Sequence, residues 1–111
     1  MMKRITIAAC VLLLSACATK LIEPTEADIS RVKTKYPEYT VEQLQKGKSL
    51  YVQHCGNCHG LYKPSSQSEA EWTKIVPWMS NKVNKQQPST LSTTDQELIL
   101  KYVITMGPLR K

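Results

Sequence analysis

The chain predicts an all-α fold, and three observations carry that reading. Thr or Ser residues open several segments, most with an acidic or amide residue three positions on, which is a helix-start pattern. Apolar residues then recur at steps of three and four, the spacing of one helical face. No segment alternates apolar and polar with period two over a useful length. At 111 residues the chain holds one small domain at most.

Ala18 to Pro24 reads as a short tether. Thr25-Glu26-Ala27-Asp28 opens the first helical segment, which runs through Ile29 and Val32 and stops before Pro37, since the residue ahead of a proline is pushed out of the helical region. It is short and polar, and reads as a peripheral helix or a spacer. Thr40 with Gln43 starts a second helix, whose face is drawn by Leu44, Gly47, Leu50 and Tyr51. Glycine inside a helix costs roughly 1 kcal/mol against alanine, so Gly47 suggests that another backbone passes close by. Ser68 with Glu71 starts a third helix, followed by Trp72, Ile75, Val76, Met79 and Val83. Pro77 removes the amide that would bond the Thr73 carbonyl, so a kink or an end is expected near Val76. Asn84 to Thr90 reads as a polar loop. Ser92 caps the last helix, with Leu98, Ile99, Tyr102, Val103 and Met106 on its buried face and Gly107-Pro108 closing it.

Between the second and third helices lies Cys55-Gly56-Asn57-Cys58-His59. A Cys-x-x-Cys-His run reads as covalent attachment of a c-type haem. Two thiols add to the vinyl groups on one porphyrin edge, and the next residue supplies an imidazole beneath the iron. A thioredoxin-type dithiol needs a surrounding βαβ pattern, which is missing here, and half a zinc site needs a second ligand pair. The other cysteines are Cys10 and Cys17, and export accounts for both.

Lys3 and Arg4 precede the apolar run Ile5 to Leu14, which leads to Ser15-Ala16-Cys17. A basic start, a short apolar core and small residues before a cut form a secretory signal, and the run is too short to cross a bilayer as a mature helix. Leu14-Ser15-Ala16-Cys17 resembles the lipobox of bacterial lipoproteins, in which the cysteine is lipidated and becomes the mature N-terminus. Several acyl chains together anchor stably where one is marginal. The expected organisation is a signal over residues 1–16, a lipidated tether with its short helix over 17–39, and the haem domain over 40–111. Removing Lys3 and Arg4 lowers the 15 basic residues to 13 against 9 acidic ones, a net of +4. Scattered lysines without aromatic interleaving do not suggest nucleic-acid binding. They suit solvated faces, or steering toward redox partner proteins with acidic docking surfaces.

With Gly47, Tyr51 and Tyr102 added to the Cys55–His59 run, the chain resembles the class I cytochromes c over roughly Thr40 to Met106. In that family a glycine and an aromatic on an N-terminal helix cross an aromatic on the C-terminal helix. The run from Cys55 to Tyr62, Pro64, and Glu71-Trp72 through Ile75-Val76 to Met79 is similar to bacterial variants. The resemblance implies His59 as proximal iron ligand, with Pro64 supplying the carbonyl that orients its ring. For the sixth position there are two candidates, Met79 and Met106. By periodicity each is more often core filler, but the family pattern favours Met79, whose thioether would raise the potential and block small ligands. The Trp72 indole has two readings, a donor to a haem propionate or a ring packed against the porphyrin. His54 reads as a surface residue, and Trp78 has no assigned role.

The function expected from this set is a membrane-tethered monohaem electron carrier, not an enzyme, with no small-molecule substrate. Its expected place is the bacterial envelope facing the periplasm. The outer membrane is favoured because Ala18 stands where an inner-membrane retention signal would place aspartate. The rivals are a haem subunit of a periplasmic oxidoreductase complex, a ligand sensor or peroxidase with an open sixth site, and a lipoprotein whose haem merely fills its core.

Overall fold

A computed structural model describes residues 21–56 and 61–110, and the fold among them is all-helical. Helix α1 spans Glu26–Arg31, α2 Val41–Cys55, α3 Glu69–Gln86 and α4 Thr93–Met106, with a 3₁₀ turn at Pro64–Ser66. Among the described residues no helix is long and apolar enough to cross a membrane.

Each start follows from local chemistry. The Thr25 backbone N–H donates to the Asp28 carboxylate at 2.9 Å. At α2, Gln43 N–H donates to Thr40 Oγ1 (3.1 Å) and Thr40 N–H donates back to Gln43 Oε1 (3.0 Å). Ser68 and Glu71 repeat that exchange at α3, and Asp95 N–H donates to Ser92 Oγ at α4. These bonds satisfy amides that the first helical turn leaves without intrahelical partners.

Helices α2 and α4 cross at the centre, where Leu44, Ile99, Tyr102 and Val103 are fully buried. Gly47 makes the crossing possible. A Cβ built there would lie 2.3 Å from the Leu98 carbonyl oxygen and 2.8 Å from Tyr102 Cβ. The close backbone expected from the sequence is therefore the Leu98 turn of α4. Tyr51, one turn beyond Gly47, stacks at a tilt on Tyr102 with ring centroids 5.6 Å apart.

Helix α3 does not end at Pro77 but continues to Gln86, which absorbs the first part of the expected polar loop. Pro77 and Thr73 are both exposed, so water can take the carbonyl that the missing amide leaves. Trp72, Val76 and Ser80, buried on the opposite face, hold the helix on both sides of the proline. The loop after it is pinned by Asn84, whose Nδ2 donates to the Leu91 carbonyl (2.9 Å) while its Oδ1 accepts from Leu91 N–H (2.8 Å).

Helix α1 is packed rather than a spacer. Ile29 and Val32 join the core, and Arg31 donates from Nε to the Leu109 carbonyl and from Nη2 to the Thr105 carbonyl, both at 2.8 Å. A guanidinium thus caps the carbonyl end of α4, where positive charge is favourable. Asp28, itself buried, holds that guanidinium through Oδ1 at 2.7 Å. Ile104 and Thr105 are also buried, although the helical spacing did not place them on the core face. Gly107 ends α4 at φ −114°, so no left-handed backbone demands glycine. The demand is space, because an added Cβ would lie 2.1 Å from the Pro64 carbonyl oxygen.

Candidate functional site

The last turn of α2 delivers Cys55, buried, to a small cleft facing α3. Tyr51 and Cys55 line one side, one helical turn apart. Trp72, Ile75, Val76 and Met79 line the other at helical spacing, and Tyr62 closes the edge. The structure therefore brings Cys55, Trp72 and Met79 together with Tyr51, all of them residues that the sequence singled out. Cys58, His59 and the intervening Asn57 lie outside the described residues, as does Cys17. Among the described residues no group of three or more His, Cys, Asp or Glu could hold a metal ion.

Hydrogen bonds fix the cleft wall. Pro64 opens the 3₁₀ turn and is buried, and its carbonyl accepts the Trp72 indole N–H at 2.8 Å. The indole donor is thus directed at the backbone. The Tyr51 hydroxyl donates to the Tyr62 carbonyl at 2.5 Å, and its ring meets Trp72 edge-on at 6.0 Å between centroids. Burial, and next the neighbouring Cys55, push the Tyr51 phenol far above its ordinary value, so it stays a proton donor at any physiological pH. Nothing in the sequence pairs Tyr51 with a carbonyl eleven residues on. That contact depends on where Tyr62 lies relative to the end of α2, which is a tertiary property.

The residues present suit a haem in chemistry. A thiol and a thioether share one cleft whose other walls are aromatic or aliphatic, as an apolar macrocycle requires. The enclosed volume is about 20 Å³, room for about one water, so the macrocycle needs the α3 wall and the Tyr62 edge to part. At that edge Tyr62 is 52% exposed, and Met79 is half-buried.

The other sequence candidates fall elsewhere. Met106, 6% exposed, lines a separate cavity of about 270 Å³ with Leu21, Ile22, Pro64 and Tyr102. His54 is half-buried in the last turn of α2 rather than on the open surface, and is not among the residues walling the Cys55 cleft. Trp78 projects outward from α3 at 55% exposure. Comparison of the chain with family models, curated proteins and solved structures returned no match.

Proposed function

We propose that this chain is a monohaem c-type cytochrome of the class I kind, tethered by lipid at Cys17 and carrying electrons in the bacterial envelope. The observation that carries the reading is the convergence of Cys55 and Met79 on one apolar cleft, at the start of a Cys-x-x-Cys-His run. Cys55 and Cys58 would hold the macrocycle covalently, and His59 and Met79 would ligate the iron. Haem bound there supplies a one-electron ferrous–ferric couple.

The chain's own residues then have defined work. Tyr51, Trp72, Ile75 and Val76 exclude water from the cleft and keep its dielectric low, which strengthens every electrostatic effect inside it. Met79 is carried on a continuous helix rather than on a loop. The Trp72–Pro64 bond fixes the turn that follows the attachment segment, and the Pro64 carbonyl keeps a second lone pair that can accept from His59.

The support for Met79 over Met106 is spatial, since Met106 opens on a different cavity from Cys55. Expression with a haem-attachment system should yield haem that stays with the chain after denaturation, and Cys55→Ala or Cys58→Ala should weaken that retention. The ferric protein should show a methionine-to-iron charge-transfer band that Met79→Ala abolishes and Met106→Ala preserves. Absence of covalent haem overturns the reading. Ready binding of carbon monoxide by the ferrous wild type would instead favour an open sixth site.

A further inference from the structure

We propose that the outward face of α3 is a docking surface for anionic phospholipid headgroups. Trp78 stands at its centre, 55% exposed, while Trp72, Val76 and Ser80 on the opposite side fasten the helix to the core. Lys74, Lys82 and Lys85 lie four residues before, four after and seven after Trp78, so all three share its face, and all are exposed. Lys82 Nζ sits 4.4 Å from the centre of the Trp78 ring, placing charge and indole at one level. Glu71 is the acid on this face, and it is turned back to the helix start, where its Oε1 accepts from Ser68 N–H.

Charge complementarity selects the occupant. Three ammonium groups around an exposed indole match a negatively charged bilayer surface, where lysines meet phosphates and tryptophan settles at headgroup depth. A protein partner would need a pocket for the indole, whereas headgroups part to admit it. The contact is one of lying on the surface, because the helix is amphipathic and its other side is committed to the core. The face does not depend on lipidation of Cys17, although a tether there would hold it against the bilayer.

The test uses the chain from Ala18 onward, which contains every described helix and core residue and lacks the apolar run Ile5 to Leu14. The probe is vesicles of phosphatidylglycerol mixed with phosphatidylcholine, set against phosphatidylcholine alone, read by flotation. Binding should appear with the anionic vesicles and weaken as salt is raised. Each of Lys74→Ala, Lys82→Ala and Lys85→Ala should weaken it on the order of fivefold, and Trp78→Ala by several-fold, with helical circular dichroism unchanged. No binding to anionic vesicles overturns the proposal, as does binding that Trp78→Ala leaves intact. Equal affinity for soluble polyglutamate would assign the face to an acidic polypeptide and also overturn it. Flotation does not read haem, and lipidation is read separately from the mass of the mature N-terminus, so failure of either reading is distinguishable from failure of this one.

Discussion

Substitution of Gly47 by alanine tests the centre of the fold. The new Cβ would meet the Leu98 carbonyl oxygen at 2.3 Å, and ordinary contact begins near 3.4 Å, so the α2–α4 crossing must open by about 1 Å. The obstacle is backbone, together with the Cβ of Tyr102, and neither can turn aside as a side-chain tip would. Overpacking of this kind costs about 1–3 kcal/mol, and a backbone obstacle places it at the upper end. Alanine recovers roughly 1 kcal/mol of helix propensity. The net is a loss of about 2 kcal/mol, or roughly 8–16 °C in melting temperature for a domain near this size. Urea unfolding followed by circular dichroism should show a lower midpoint at unchanged slope. Gln45→Ala, exposed on the same helix, should stay within about 0.5 kcal/mol of wild type. If Gly47→Ala matches or exceeds the wild type in stability, the helices do not cross at this distance and the reasoning fails.

Two further perturbations probe the edges. Burial pushes the Asp28 carboxyl up, but its hydrogen bonds from Arg31 and the Thr25 backbone, with the charges of Arg31 and Arg110, outweigh this and leave it below the ordinary carboxylate value. A depressed folded value means that its stabilisation is present above the unfolded value of roughly 3.9 and is lost as pH falls through the lower folded one. Asp28→Asn should therefore destabilise by about 1–3 kcal/mol at neutral pH, and the gap to wild type should narrow in acid, as read by denaturant midpoints across pH. Trp72→Phe keeps an aromatic ring but deprives the Pro64 carbonyl of its donor, at a cost of about 1–3 kcal/mol. Pro64→Ala preserves that carbonyl and should cost less, and the reverse order would show that the indole bond matters little.

Capping residues and helical spacing carried most of the fold into view, because those signals are local. Thr40 with Gln43 and Ser68 with Glu71 form in the structure the exchange that their spacing predicts. Gly47 was legible for a different reason: a costly residue in a helix implies a compensating neighbour. Whether Pro77 ends its helix was not legible, because the penalty of a helical proline depends on whether water reaches the Thr73 carbonyl, and exposure is a tertiary property. Arg31 was silent in the sequence, since its acceptors lie 78 and 74 residues away. For the site, family spacing singled out Cys55, Trp72 and Met79, which the structure gathers, but the tie from Tyr51 to Tyr62 and the destination of the Trp72 indole required coordinates.

The Arg31 cap has a consequence for the order of assembly. Its two bonds join nearly opposite ends of the described chain, so they can form only after the long loop containing α2, α3 and most of α4 has closed. An all-helical protein this small ordinarily gathers its contacts from near neighbours and folds fast. Here a late, distant latch raises the mean separation of contacting residues. It also ties local opening of either end to the other, so α1 and the last turn of α4 should gain and lose amide-exchange protection together.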